Sequence, residues 1–132
     1  MIEIVSFGYG HAAPPPATIT LDLRVHYRDP HVDTALRALT AFDQRVIDAV
    51  LATDGIPELI DIAADTLMIY LGAPTAADIT LAVGCRGGRL RAPVVATQAG
   101  LRFDRFAAAA GIDMRARVTH RDLHRPVLAT TS

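Results

Sequence analysis

A short glycine- and arginine-rich segment carries the residue types best suited to chemistry in this chain. It runs from Gly84 to Arg91 and reads Gly-Cys-Arg-Gly-Gly-Arg-Leu-Arg. An apolar run precedes it, and Pro93 opens an alanine-rich segment that is typical of a helix. A glycine-rich loop between a strand and a helix binds phosphate through its backbone N–H groups and the positive end of the helix dipole. The predicted phosphate-binding residues are Gly84, Cys85, Arg86, Gly87, Gly88, Arg89 and Arg91.

Within this segment, Cys85 and Arg91 have the C-x5-R spacing of the cysteine phosphatases. The thiol is either a small core residue or, in an electropositive loop, a thiolate nucleophile. Phosphatase loops usually carry His before the Cys and Ser or Thr after the Arg, whereas this chain has Gly84 and Ala92. We therefore expect a binding site without catalysis or cofactor, and we name Cys85 and Arg91 as the catalytic pair if the chain is an enzyme.

Three further candidates lie near the end of the second predicted strand. Asp22 and Arg24 are near that end, and His31 follows the predicted turn at Asp29-Pro30. Loops at the carboxyl ends of parallel strands converge on one site, which favours a ligand role for these side chains. The alternative for Asp22 and Arg24 is an ion pair on one face of the strand. The same convergence argument adds three residues after the first strand: Ser6, Gly8 and Tyr9.

Basic side chains also accumulate near the C-terminus, at Arg115, Arg117, His120, Arg121, His124 and Arg125. On alternating positions of a strand they would form a basic stripe that binds nucleic acid phosphates. Aromatic residues do not interleave with them, so stacking on bases is not indicated. The competing interpretation is an edge strand that is charged to prevent aggregation.

Composition excludes several classes of function. The 132-residue chain is 51% hydrophobic with a net charge of −1, which indicates one folded domain without a global attraction to nucleic acid. All thirteen basic residues are arginine, so lysine chemistry and a Walker A loop are excluded. The single cysteine excludes an internal disulfide and a cysteine-based zinc site.

Neither a signal peptide nor a membrane span is indicated by the sequence, so we expect a cytoplasmic bacterial protein. We expect one domain over 1–126 and a frayed tail over 127–132.

Hydrophobic periodicity predicts an α/β fold with a mixed, partly parallel sheet and helices packed on it. The last two strands and the helix between them should form a parallel unit. The predicted strands are 2–8, 18–25, 79–84 and 114–120, and the predicted helices are 33–53, 57–71 and 93–110.

Six segments, in order, resemble the C-terminal domain of the RapZ family. They are Ser6-Phe7-Gly8-Tyr9-Gly10, Leu21-Asp22-Leu23-Arg24, Asp29-Pro30-His31, the Leu36-to-Asp43 segment, Gly84-Cys85-x-Gly87-Gly88-x-x-Arg91 and His120-Arg121-Asp122-Leu123. The family was long named as nucleotide-binding proteins or RNase adapters. Full-length members of the family join an N-terminal P-loop domain to this C-terminal domain. In that family the C-terminal domain binds glucosamine-6-phosphate and small RNA and contributes to oligomer formation.

The resemblance implies a regulatory domain that binds a sugar-phosphate-like metabolite, with an RNA or protein adapter role and a homodimer as the simplest assembly. The family's sugar-phosphate residues correspond to Gly84, Cys85, Gly87, Gly88, Arg91 and His31, and its D-x-R to Asp22 and Arg24. The loop departs from the family pattern at Arg86 for Thr, Leu90 for His and Ala92 for Ser. The extra arginine implies a stronger or different anion preference.

Overall fold

The computed structural model describes residues 1–27 and 35–128. In these residues the chain forms four strands and three helices. In order they are β1 (Ile2–Gly8), β2 (Ile19–Asp22), α1 (Gln44–Leu51), α2 (Ile56–Leu71), β3 (Ile79–Cys85), α3 (Arg91–Ala109) and β4 (Arg117–His120). None of the described helices is long and apolar enough to cross a membrane.

The four strands form one sheet in the order β2-β3-β1-β4. The predicted α/β fold with helices packed on a sheet is confirmed. The sheet is entirely parallel where a mixed, partly parallel sheet was predicted, because the pairs β1–β3, β1–β4 and β2–β3 are all parallel. β1 and β3 lie in the centre, which explains their nearly continuous apolar sequences. Since every strand runs the same way, all four carboxyl ends meet at one edge of the sheet.

The two faces of the sheet are covered unequally. Ile2, Ile4, Leu81 and Val83 lie on one face and join side chains of all three helices in the main core. The alternate positions face the other way, as the two-residue period of a strand requires. There Val5, Phe7 and Ala82 form a small second cluster with Tyr9. The helices therefore pack against one face.

Two of the predicted helices are confirmed nearly as written. α2 begins after Gly55, whose φ of +88° turns the chain into the helix, and Pro57 occupies its first turn. α3 begins at Arg91 rather than Pro93, because a proline fits inside the first turn of a helix, where no intrahelical N–H bond is needed. Gly111, with φ of +72°, follows the end of α3 as predicted.

The first predicted helix, 33–53, is wrong over its N-terminal half. α1 begins only at Gln44, because the Asp43 side chain caps it by accepting a hydrogen bond from the Arg45 N–H at 2.9 Å. Leu36 is buried and Leu39 half-buried, but residues 35–43 are not helical. Their helical spacing therefore reflects burial and not a helical backbone. Of this region, the predicted turn at Asp29-Pro30-His31 lies outside the described residues.

The two edge strands are shorter than predicted. β2 spans Ile19–Asp22 instead of 18–25, and β4 spans Arg117–His120 instead of 114–120. Leu23 still donates its N–H to the Gly84 carbonyl at 2.8 Å, after which the chain turns away from the sheet. This turn places Arg24 and Tyr27 beyond the carboxyl edge.

Candidate anion-binding site

An open cleft of about 470 Å³ lies at the carboxyl edge of the sheet. Its lining residues follow three different strands: Tyr9 and Gly10 follow β1, Arg24 and Tyr27 follow β2, and Arg86 and Arg91 follow β3. Convergence of loops at this edge is the arrangement that the parallel-strand argument predicted. The cleft contains three guanidinium groups and two phenol rings.

The loop between β3 and α3 is held tightly against the end of β1. Gly88 adopts φ of +71°, and a Cβ there would lie 2.7 Å from the Gly8 nitrogen and 2.9 Å from the Phe7 carbonyl carbon. Gly8 is equally confined by Gly87 and Gly88. These glycines are required because two backbones approach each other more closely than any side chain allows. Gly87, by contrast, has open space around its missing Cβ.

Main-chain hydrogen bonds join the loop after β1 to the loop after β3. Tyr9 donates its N–H to the Cys85 carbonyl, and Gly10 donates to the Arg86 carbonyl, each at 2.9 Å. The two loops therefore continue the sheet's pairing beyond its strands. This pairing fixes Tyr9 and Arg86 relative to each other on the wall of the cleft.

Arg91 is the first residue of α3 and is only 3% exposed. Its Nη1 donates to the Leu23 carbonyl at 2.7 Å and to the Tyr27 carbonyl at 3.1 Å. The guanidinium thus binds the segment after β2 while it lines the cleft. Its predicted contact with phosphate stays a prediction.

Arg24 links Asp22 to Tyr9. Its Nη2 lies 2.8 Å from Asp22 Oδ2 and its Nε 3.0 Å from Oδ1, which is the ion pair that the spacing allowed. The hydrogen bond from Arg24 is the main cause that lowers the pKa of Asp22. The guanidinium carbon also lies 3.6 Å from the centroid of the Tyr9 ring. Burial, and secondarily the negative charge of Asp22, raises the pKa of Tyr9.

The side chains of the other two loop arginines, Arg86 and Arg89, point in different directions. Arg86 is exposed and lines the cleft. Arg89 instead donates from Nη2 to the Leu39 carbonyl and from Nη1 to the Arg125 carbonyl, both at 3.2 Å. Arg89 therefore holds together chain segments outside the cleft. Of the three loop arginines, Arg86 and Arg91 thus line the cleft and Arg89 does not.

Cys85 lies beneath the loop and is 3% exposed. Its Sγ accepts a hydrogen bond from the Gly88 N–H at 3.3 Å. This geometry fits the core interpretation of the thiol better than the nucleophile interpretation. Gly84 lies next to it, where an added Cβ would collide with the rings of Phe7 and Tyr9.

Asp122 was missed as a site residue by the sequence reasoning. It is fully buried, and its Oδ2 accepts hydrogen bonds from the Gly8 N–H at 2.7 Å and from Arg121 Nε at 3.0 Å. Arg125 forms an ion pair with Oδ1 at 3.0 Å. Burial alone would raise the pKa of Asp122, but the hydrogen bonds from Arg121 and Gly8 outweigh it and lower the pKa. The signal in the sequence was one acid between two nearby arginines.

The C-terminal basic residues do not form one continuous stripe. Arg115 and Arg117 are exposed, whereas Arg121 donates to the carbonyls of Ala12, Ala13 and Gly8. His120 turns to the opposite face of β4 from Arg117, toward α3. The predicted stripe is wrong as a single surface because an odd number of strand positions separates these two residues.

His120 makes a chain of polar contacts with β1 and α3. Its Nδ1 lies 2.7 Å from Ser6 Oγ and its Nε2 lies 3.4 Å from Thr97 Oγ1. Burial, and secondarily the charge of His124, lowers the pKa of His120. The exposed Phe42 ring is centred 6.4 Å from His120 and 6.3 Å from His124. The Phe42 ring, which is distant in sequence, thus lies beside both histidines.

Of the predicted site residues that the structure describes, Arg24, Arg86 and Arg91 line one cleft with Tyr9, and Asp22 is paired with Arg24. Arg89 and the loop glycines Gly84, Gly87 and Gly88 are not among the lining residues of that cleft. His31 lies outside the described residues. In the same described ranges, no group of three or more His, Cys, Asp or Glu side chains is placed to hold a metal ion.

The fold is a parallel α/β domain with an arginine-lined cleft at the carboxyl edge of its sheet. A family model for the RapZ C-terminal domain matches residues 1–124, so the chain belongs to that family. It is 39% identical over 126 residues to a nucleotide-binding protein of Frankia casuarinae, covering 92% of this chain. It is 35% identical to a nucleotide-binding protein of Thermobifida fusca and 33% identical to one of Rubrobacter xylanophilus. The chain spans about two fifths of the length of these relatives (41%, 40% and 40%).

Proposed function

We propose that this chain is a non-catalytic regulatory domain that binds a phosphorylated small metabolite of sugar-phosphate type in the arginine-lined cleft. The observation that carries the proposal is the convergence of Arg24, Arg86 and Arg91 on one cleft at the carboxyl edge of a parallel sheet. One nearby carboxylate, that of Asp22, is paired with Arg24. Guanidinium groups from three loops of one cleft supply charge-assisted hydrogen-bond donors that suit a phosphate dianion.

The fixed parts of the cleft support binding without large rearrangement. The pairing of the loops after β1 and β3 holds Tyr9 beside Arg86, and Arg91 holds the segment that carries Tyr27. A site whose walls are already ordered loses less conformational entropy on binding. Two phenol rings next to guanidinium groups suit a ligand with a ring and hydroxyl groups on one side and phosphate on the other.

The loop also supports a difference in ligand preference within the family. Arg86 stands where the RapZ pattern has Thr, and it lines the cleft directly. A guanidinium adds a charge-assisted, two-pronged contact that a threonine hydroxyl cannot make. We therefore include nucleotides among the candidate ligands, in keeping with the name of the relatives.

A cysteine phosphatase is the alternative that the C-x5-R spacing left open. Two observations favour binding over catalysis: the Cys85 thiol is 3% exposed, and the Arg91 Nη1 is engaged by main-chain carbonyls. A nucleophilic thiolate must reach the phosphorus of its substrate. If wild type hydrolyses an aryl phosphate and Cys85→Ser does not, the enzyme alternative replaces the binding proposal.

The decisive experiment measures the melting temperature with glucosamine-6-phosphate, a nucleoside monophosphate or inorganic phosphate. A ligand that binds only the folded state raises the melting temperature by mass action. We expect at least one organic phosphate to do so, and Arg86→Ala to weaken its affinity by at least about tenfold, the effect of losing one charge-assisted hydrogen bond.

Arg115→Ala is the matched control for this experiment. Arg115 is exposed and precedes β4, at the amino edge of the sheet, far from the cleft in the direction of the strands. Its replacement should leave ligand affinity unchanged. The proposal is contradicted if none of the phosphates stabilises the protein, or if Arg115→Ala weakens binding as much as Arg86→Ala.

RNA binding is a second candidate function, favoured by the exposed Phe42 ring beside His120 and His124. An exposed aromatic ring can stack on a base of single-stranded RNA. Fluorescence anisotropy with a labelled single-stranded RNA tests it. Phe42→Ala should abolish a sequence-tolerant affinity if the ring stacks on bases, and loss of binding in Arg117→Ala alone would indicate phosphate contacts only.

A further inference from the structure

The segment that follows β4 holds the loop that follows β1. Arg121 donates a hydrogen bond to the Ala13 carbonyl at 2.6 Å. Asp122 accepts a hydrogen bond from the Gly8 N–H at 2.7 Å. The same loop after β1 carries Gly10, which lines the arginine-lined cleft. One wall of the cleft is therefore supported by the segment after β4.

Past Leu123, four consecutive residues of this segment, 124–127, are exposed. Arg125 is tied back to Asp122 by an ion pair at 3.0 Å, and its carbonyl accepts a hydrogen bond from Arg89 at 3.2 Å. Leu128 follows, and it is half-buried. The exposed stretch is therefore followed by an apolar side chain that returns to the body of the domain.

Leu128 occupies the place that a side chain at residue 10 would take. An added Cβ at Gly10 would collide with Leu128 Cδ1 and would lie 3.4 Å from its Cγ. Gly10 does not have a positive φ, so the lack of space, and not the backbone conformation, requires glycine here. The Gly10 N–H in turn donates to the Arg86 carbonyl at 2.9 Å. Leu128 therefore packs on the residue whose main chain is bonded to that of Arg86.

Gly10 is exposed and carries no side chain that could anchor it. Glycine loses more conformational freedom on ordering than any other residue, so an ordered glycine in a cleft wall depends on contacts from elsewhere. Two such contacts are the hydrogen bond to the Arg86 carbonyl and the apolar contact with Leu128. Loss of either contact should increase the motion of this wall.

We propose that Leu128 is a positioning residue for the arginine-lined cleft, with its side chain packed on Gly10 so that the hydrogen bond between Gly10 and Arg86 stays formed. This role rests on the proposed function, since what Leu128 positions is the site for phosphate. A wall that is ordered before binding loses less conformational entropy when the ligand arrives. Ligand binding and the packing of Leu128 then stabilise each other by the same free energy, as linkage requires.

Amide hydrogen exchange, measured by NMR without ligand, tests the packing of Leu128. In Leu128→Ala the Gly10 N–H should exchange at least about tenfold faster than in wild type, because its hydrogen bond to Arg86 opens more often. The amides of β3 should be unchanged, which separates local opening from a general loss of stability. Val127→Ala is the matched control, because Val127 is the neighbouring residue and is 43% exposed. It should leave the exchange of Gly10 unchanged.

Titration with glucosamine-6-phosphate and with inorganic phosphate tests the effect on the cleft. Leu128→Ala should weaken phosphate affinity by at least about fivefold, because only molecules with an ordered wall are competent to bind. Leu128→Met keeps the apolar volume and should bind like wild type, as should Val127→Ala. Gly10→Ala should also weaken binding, because its methyl group would displace Leu128. Combining it with Leu128→Ala removes that collision, so the double variant should bind more tightly than Gly10→Ala alone.

Circular dichroism checks that each variant is folded. The role of Leu128 is overturned, and the proposed function left intact, if Leu128→Ala matches wild type in Gly10 exchange or in phosphate affinity. The same holds if Val127→Ala behaves like Leu128→Ala. A wild type that binds neither phosphate overturns both the proposed function and the role of Leu128.

Discussion

Gly88→Ala is the substitution that tests the architecture of the loop between β3 and α3 most directly. Gly88 has φ of +71°, which L-residues with a side chain adopt at a cost of roughly 1–2 kcal/mol. Its new Cβ would also lie 2.7 Å from the Gly8 nitrogen and 2.9 Å from the Phe7 carbonyl carbon. Both atoms are backbone of the central strand β1, so neither moves aside as the end of a flexible side chain would.

The two effects add because they have different physical origins. Forcing an extra carbon into a packed site costs about 1–3 kcal/mol, and with the backbone strain the total is about 2–5 kcal/mol. Domains of this kind have a free energy of unfolding of about 5–15 kcal/mol, so the variant would lose a large share of its stability. At roughly 4 °C for each kcal/mol in a chain of this size, the melting temperature should fall by roughly 8–20 °C.

Urea denaturation and a thermal melt measure the effect, with Gly87→Ala as the matched control. An added Cβ at Gly87 would have no heavy atom within 4 Å, and Gly87 does not have a positive φ. Its replacement should change the free energy of unfolding by no more than about 0.5 kcal/mol. If both alanine variants are equally stable, the loop does not approach β1 as closely as described, and the reasoning about its glycines fails.

Three other perturbations test the contacts around the cleft. Asp122→Ala should lower the free energy of unfolding in urea by about 3 kcal/mol or more, because it leaves the buried Gly8 N–H without its acceptor and removes the carboxylate that Arg121 and Arg125 contact. Since the folded pKa of Asp122 lies below its ordinary value of 3.8, this contribution is complete above pH 3.8 and is lost in acid. A cost that does not change with pH across this range would refute the assignment. Arg91→Lys should lower the free energy of unfolding by about 1.5–3 kcal/mol, because the hydrogen bonds to the carbonyls of Leu23 and Tyr27 are lost. An unchanged melting temperature would mean that these hydrogen bonds make no net contribution to stability. His120 has a folded pKa below its ordinary 6.5, so the free energy of unfolding should decrease as the pH falls below 6.5; His120→Gln should reduce that slope between about pH 8 and pH 5, and an identical slope would point to another group.

The sequence by itself determined the central part of the fold and the place of the candidate site. β1 and β3 could be predicted because both faces of a central parallel strand are buried, which requires an almost continuous apolar sequence. The loop from Gly84 to Arg91 could be located because the positive φ of Gly88 and the closeness of Gly8 can be met only by glycine. The apolar runs and the cluster of glycines can be recognised from residue type and spacing alone.

Tertiary structure alone decided the directions and partners of the polar side chains. Three arginines in one loop have equivalent sequence signals, yet Arg86 lines the cleft, Arg89 binds the carbonyls of Leu39 and Arg125, and Arg91 binds carbonyls after β2. Asp122 receives the N–H of Gly8 from 114 positions away, and no local pattern indicates that contact. Leu36 likewise joins the core without being in a helix, which its helical spacing in the sequence does not show. Hydrogen-bond partners far apart in sequence are set by the packing of the strands, so they follow from the fold and not from spacing.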